Sequence, residues 1–108
     1  KSDIRADAAI ELDKIVQFLK DNEQIYIELG SHTDSRATAN YNMKLSQRRA
    51  ESAVKYITSN GINGARIKAK GYGETQLINE CADGVNCSEE MHQQNRRTEF
   101  VITEIKSE

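Results

Sequence analysis

The sequence predicts an α/β (α+β) fold: a two-layer sandwich with helices on one face of a mixed sheet. Three observations carry that prediction. Apolar residues recur at helical spacing in two long stretches and alternate at strand spacing in three short ones. The stretches follow the order α-β-α-β-loop-β. The chain has 108 residues, enough for one domain and too few for two, so residues 1–108 read as a single unit.

Residues 3–21 read as an amphipathic helix, with Ile4, Ala8, Leu12, Ile15, Val16 and Leu19 three or four apart. Ser2 can cap its first turn, Asp3 suits the positive end of its dipole, and Asp21-Asn22 is a stop. Residues 24–30 read as a strand, in which Ile25, Ile27 and Leu29 alternate with Tyr26, Glu28 and Gly30. Ser31-His32-Thr33-Asp34 follows as a polar loop. Residues 40–59 read as the second helix, with Tyr41, Leu45, Ala50, Ala53, Val54, Tyr56 and Ile57 as its apolar arc. Gly61 can take the left-handed conformation that ends it. Residues 66–72 read as a strand closed by Gly71 and Gly73. A polar loop over 74–95 ends in a helical turn at 88–95. Residues 97–105 read as the last strand, with Phe100 and Ile102 on one face and Val101 and Ile105 on the other. Three strands make a thin sheet, so a further strand is expected upstream of Lys1, the first strand being truncated here.

Composition excludes several functions. Apolar residues make up 37% and charged residues 30%, a thin core under a heavily charged surface. The 15 basic and 17 acidic residues are well mixed, and no basic stripe suggests nucleic acid. No apolar run approaches the roughly 20 residues of a membrane span, so membrane contact by this domain is not expected. No signal peptide opens the sequence, and no repeat runs through it. A mixed surface of this kind suggests a monomer. Cys81 and Cys87 lie in one short polar segment, which fits either a disulfide or part of a metal site.

One residue breaks the pattern of the second helix. At about 100° per residue, Arg49 falls between Leu45 and Ala53, inside the apolar arc, while Arg48 points to solvent. A guanidinium there needs acceptors, because a buried unpaired charge costs several kcal/mol. Asp34 is the carboxylate in the loop leading from strand to helix, at the strand end where α/β crevices open. Two readings stay open. Asp34 and Arg49 form an internal ion pair, or they receive a zwitterion, the ammonium at Asp34 and the carboxylate in the fork of Arg49.

The surrounding residues resemble a known family. Gly30-Ser31-His32-Thr33-Asp34-Ser35, Tyr41-Asn42 and Leu45-Ser46-Gln47-Arg48-Arg49-Ala50 are similar to the signature of the OmpA-like C-terminal domain. Gly61-Ile62, Arg66-Ile67, Gly71-Tyr72-Gly73-Glu74 and Asn95-Arg96-Arg97 follow in the family's order. The resemblance spans roughly residues 4–105 and implies a βαβα-type mixed sheet. It implies non-covalent binding of the diaminopimelate-containing peptide stem of peptidoglycan, with no cofactor. The parent protein would be an outer-membrane protein or lipoprotein, this domain lying in the periplasm. The resemblance places the ligand's ammonium at Asp34 and its carboxylate at Arg49. It brings Asn42 and Arg96 near the ligand, with Thr33 and Asn95 as lesser contacts. Tyr41 and Leu45 are expected in the core, His32 to bond within its loop, and Arg96 rather than Arg97 to point inward.

The chain departs from the family in places. Arg36-Ala37-Thr38 stands where family loops often carry a glycine, Leu77 where a proline is common, and His92 where many members have arginine. The periplasmic setting implied by the resemblance favours a Cys81–Cys87 disulfide. Zinc on Cys81, Cys87 and His92 is the alternative, and calcium on Asp83, Asn86, Glu89 and Glu90 follows no EF-hand spacing. No Ser-His-Asp order and no phosphate loop is present, so an enzyme is not expected. The rival function is a structural module that binds another envelope protein and uses Asp34–Arg49 as a brace.

Overall fold

A computed structural model describes residues 6–107. Helix α1 spans Ala6–Asp21 and buries Leu12, Val16 and Leu19, the centre of the expected stripe. Ser2, Asp3 and Ile4, expected in its first turn, lie outside the described residues. Helix α2 spans Ala39–Ser59 and starts where the Thr38 hydroxyl accepts a hydrogen bond from the Tyr41 amide at 3.1 Å. Gly61, at φ 102°, supplies the left-handed residue after it. Helix α3 spans Glu89–Asn95, capped by Ser88.

Strand β1 (Ile25–His32) is central. It pairs in parallel with β2 (Ile67–Gly73) and antiparallel with β3 (Arg97–Ile105). β1 runs two residues past the expected boundary: Ser31 faces Gly71 and Thr98, and His32 faces Gly73 and Arg97. Polar residues look like loop in sequence, but a central strand has partners on both sides that hold them extended.

Ile25, Ile27 and Leu29 point to the helices and form one core with Leu12, Val16, Leu19, Ala53, Ile57, Ile62 and Ile67. Arg66 seals one end of it, its guanidinium donating to the carbonyls of Leu19, Asn22 and Ile25 at 2.7–3.1 Å.

Two details of packing correct the sequence reading. The buried face of α2 carries Asn42, Ser46, Ala50, Ala53 and Ile57, while Tyr41 is exposed and Leu45 only half-buried. The helix is turned so that small and polar residues meet the sheet, because α2 lies very close to β2. The Gly71 amide donates to the Gln47 side-chain oxygen at 2.8 Å and the Gly73 amide to the Ser46 hydroxyl at 2.8 Å.

The second correction concerns β3. A bulge between Tyr26 and Ile27 sets Ile27 against Ile102 but Tyr26 against Glu104 and Ile25 against Ile105. One extra residue flips the strand's faces, so Ile105 shares the helix-side face with Ile102 and not the face of Val101. Phe100 meets Phe18 of α1 with ring centroids 5.5 Å apart. Phe100, Ile102 and Ile105 nevertheless stay exposed, since β3 is the edge strand among the described residues.

Candidate functional site

The residues leaving β1 enter a buried turn. The Thr33 amide donates to the Gly73 carbonyl at 2.9 Å, which continues the sheet one step beyond the strand. The Asp34 Oδ1 atom accepts the Arg36 amide at 2.9 Å, an Asx turn that reverses the chain toward α2. Ala37 then takes φ 71°. This is where the family's loops often carry glycine, and the backbone keeps a glycine-like conformation with a methyl group in place.

Asp34 is buried, with its carboxylate at the centre of an ion-pair network. Oδ2 accepts Nη2 of Arg36 at 2.8 Å and Nη1 of Arg96 at 2.5 Å. Glu89, at the start of α3, closes the ring: Oε1 meets Nη1 of Arg36 at 2.8 Å, and Oε2 meets Nη2 of Arg96. Gln93 also accepts from Arg96. Burial works to raise the Asp34 pKa, but hydrogen bonds from Arg36 and Arg96 outweigh it and hold the carboxyl at about 2. The same two arginines hold Glu89 below its ordinary range. Arg96 points inward, as expected. Arg97 does not point to solvent: it donates to the carbonyls of Gln76 at 2.8 Å and Asn95 at 3.2 Å.

Asn42 fastens the loop. Its amide nitrogen lies 3.2 Å from the Asp34 carbonyl, 2.9 Å from the Arg36 carbonyl and 3.1 Å from Glu74 Oε1. Burial raises the Glu74 pKa and a hydrogen bond with Asp83 adds to it, with Asn42 opposing. Glu74 therefore links the cysteine loop to the site.

Arg49 stands apart. It is half-buried at the rim of the α2 stripe, and among the described residues it has no hydrogen bond and no ion pair. Seven residues on from Asn42, it returns to within about 20° of the same helix face. The proposed Asp34–Arg49 brace is therefore not formed, because Arg36 and Arg96 have taken Asp34.

Thr33 and Asn95 are buried, and their side chains bond within the fold. The Thr33 hydroxyl donates to the Asp34 carbonyl at 2.9 Å. Asn95 accepts from the Ile78 amide at 2.8 Å and donates to Asn79 at 2.9 Å, pinning the segment before the cysteine loop. His32 is in the strand and not in a loop. It stacks on Tyr72 at 5.0 Å and lies 3.4 Å from Glu99. Burial pushes its pKa down, with Arg97 in the same direction and Glu99 opposed, which favours neutral imidazole. Cys81 and Cys87 form a disulfide, so neither sulfur is a thiolate for zinc and the reading with His92 falls. The Ser35 hydroxyl donates to the Cys81 carbonyl, which ties the disulfide ring to the Asp34 loop. A concavity of about 350 Å³ opens at the other end of β1, by Asp21, Gln24, Tyr26 and Lys106, and has no such network.

Comparison with known proteins identifies the family. A sequence model of the OmpA family matches residues 1–90. The chain belongs to the OmpA family. A peptidoglycan-associated lipoprotein of Mesorhizobium japonicum is 36% identical over 96 residues, covering 89% of this chain and 54% of that protein. A match of 37% over 108 residues, 97% of this chain, is to a protein of Gloeobacter violaceus named photosystem I P700 chlorophyll a apoprotein A2; it covers 12% of that protein. The chain thus spans about half or less of these relatives' length. Among solved structures, the peptidoglycan-associated lipoprotein of Burkholderia pseudomallei superimposes with a TM-score of 0.80 at 26% identity, over 95% of this chain and 83% of that one.

Arg36, Glu89 and Gln93 were not identified as site residues from sequence. In sequence Arg36 is marked only as a departure from the family's glycine, and Glu89 only as one of four candidate calcium ligands. The spacing of Asp34 and Arg36 fits an Asx turn and was the available signal for the first. Nothing local marks Glu89, which is 53 residues from its partner Arg36.

Proposed function

We propose that this domain binds the diaminopimelate-containing peptide stem of peptidoglycan without covalent chemistry. In doing so it tethers an outer-membrane-associated protein to the cell wall from the periplasm. The observation that carries this reading is Arg49: a half-buried guanidinium with no partner among the described residues, on the helix face that also holds the Asp34 loop. A half-buried cation of this kind favours an external carboxylate, which a planar fork binds with two parallel hydrogen bonds. Asp34 supplies the acceptor for the adjacent ammonium. Asn42 and Arg96 hold that acceptor in place. The names of the lipoprotein relatives, and their likeness over most of this chain, support the same reading.

Recognition, not turnover, is the expected chemistry. A lysine-type stem keeps the side-chain ammonium but lacks the carboxylate. Arg49 would stay unmatched, costing roughly 1–3 kcal/mol in binding. The test is calorimetric titration with a diaminopimelate stem peptide and with the same peptide carrying lysine. Binding of the first, weak or no binding of the second, and loss of the first in Arg49→Ala support the reading. Equal binding of the two peptides would refute it. Release of fragments from peptidoglycan incubated with the domain would refute the non-enzymatic reading.

A further inference from the structure

The carboxylate assigned above to a ligand's ammonium is already engaged by two guanidinium groups of the chain itself. They are not equivalent. Arg96 lies at the junction of α3 and β3 with its side chain one-quarter exposed (24%), and it is held by Asp34, Glu89 and Gln93 together. Arg36 rises from the loop, half-exposed (49%), with only two side-chain partners. One of these is Asp34 at 2.8 Å. The other is Glu89, with Oε1 at 2.8 Å and Oε2 at 3.5 Å. If Arg36 releases Asp34 it keeps a carboxylate on its other edge, and its exposed side chain can rotate toward solvent.

We propose that Arg36 sets the affinity threshold of the site. It is a resident cation on Asp34 that an incoming ammonium must displace, and Glu89 is the acceptor that retains it. The proposal rests on the reading that the ligand ammonium meets Asp34. Its consequence follows from counting contacts. An ammonium alone replaces one cation by another on the same oxygen, so the exchange is near neutral. An ammonium joined to a carboxylate makes the same exchange and adds the contact to Arg49. Arg36 thereby lowers the affinity of every amine alike, so that a lone ammonium gains little and the zwitterion binds through its added contact to Arg49.

The experiment uses the whole domain and the two stem peptides, one with diaminopimelate and one with lysine at the same position. Arg36→Met keeps length and stem but removes the charge. The diaminopimelate peptide should then bind more tightly, by roughly fivefold, the scale of one half-exposed ion pair. The lysine peptide should gain by a similar factor, since it makes the same exchange at Asp34, and so rise to measurable affinity. Glu89→Gln should weaken the diaminopimelate peptide in the natural chain, because Arg36 then has Asp34 as its one carboxylate. The weakening should be smaller in the Arg36→Met background, where Glu89 acts on Asp34 through Arg96 alone. A carboxyl-carbon NMR titration adds a readout independent of ligand: the Asp34 midpoint should move up in Arg36→Met.

Weaker binding in Arg36→Met, a lysine peptide that gains nothing, or an unmoved Asp34 titration would each overturn the proposal. Binding by the natural chain with no gain in Arg36→Met would sink the competitor role and leave the function standing. A folded natural chain and a folded Arg36→Met variant that both ignore the diaminopimelate peptide would sink the function, and this role with it.

Discussion

Replacing Gly71 by alanine tests how closely α2 rests on the sheet. A Cβ at this position would lie 2.2 Å from the Gln47 amide nitrogen, 2.6 Å from the Gln47 Cα and 2.6 Å from the Ser46 hydroxyl oxygen. Two of these atoms are helix backbone, so no side-chain rotation relieves the clash, and α2 must retreat by about 1 Å to reach ordinary contact distances. Overpacking of this kind costs roughly 1–3 kcal/mol. The retreat also stretches the bonds from the Gly71 amide to Gln47 and from the Gly73 amide to Ser46, both now 2.8 Å. Each contributes about 1 kcal/mol. The sum is a loss of roughly 3–5 kcal/mol, or about 12–20 °C in Tm for a domain near 100 residues. Thermal unfolding followed by circular dichroism measures it. Gly64→Ala is the control: its Cβ would meet nothing closer than 3.9 Å, and its Tm should barely change. If Gly71→Ala melted within about 3 °C of the natural chain, the argument that this glycine sets the helix–sheet distance would be wrong.

Three further outcomes follow from the same structure. Ala37 sits at φ 71°, where a Cβ is strained by about 1–2 kcal/mol, so Ala37→Gly should stabilise the fold by roughly 0.5–1 kcal/mol after the added chain entropy; a lower Tm in that variant would contradict it. Asp34, held down at about 2, contributes stability that is present above its unfolded value of 3.8 and is lost as pH falls from there through about 2. The contribution is at most about 2 kcal/mol, reduced because Arg36 is half in solvent. Denaturant melts at pH 5 and pH 2.5 should show the Asp34→Asn variant losing less stability on acidification than the natural chain. Reducing the Cys81–Cys87 disulfide should cost about 2 kcal/mol on the chain-entropy account of a small ring, read as a Tm shift with reductant.

Much of the fold was legible because it depends on local periodicity. The stripe through Leu12, Val16 and Leu19, the alternation of Ile25, Ile27 and Leu29, and the stop at Gly61 each declare themselves within a few residues. What could not be read depends on partners far along the chain. Ser31 and His32 are strand because β2 and β3 flank them. Ile105 changes face because of a bulge set against Tyr26 and Ile27. The buried face of α2 is centred on Ser46 and Ala50, not on the larger apolar residues, because Gly71 and Gly73 draw the helix in. At the site, the family resemblance named Asp34 and Arg49, but the partners of Asp34 come from its own loop and from the junction of α3 and β3. No periodicity links Arg36 to Glu89 and Arg96.

Asn42 has a consequence in time as well as in space. One amide in the first turn of α2 holds the carbonyls of Asp34 and Arg36 and the carboxyl of Glu74, and so joins the helix to two stretches of chain that would otherwise breathe separately. The loop cannot lift away without loosening the start of the helix, so the two share one opening event and one rate. Amide exchange at Thr33 and Arg36 should then run at the pace of a helix end and not at that of a surface loop. A ligand entering at Asp34 would meet a wall that yields as a unit, and its arrival and departure would be paced by that shared motion.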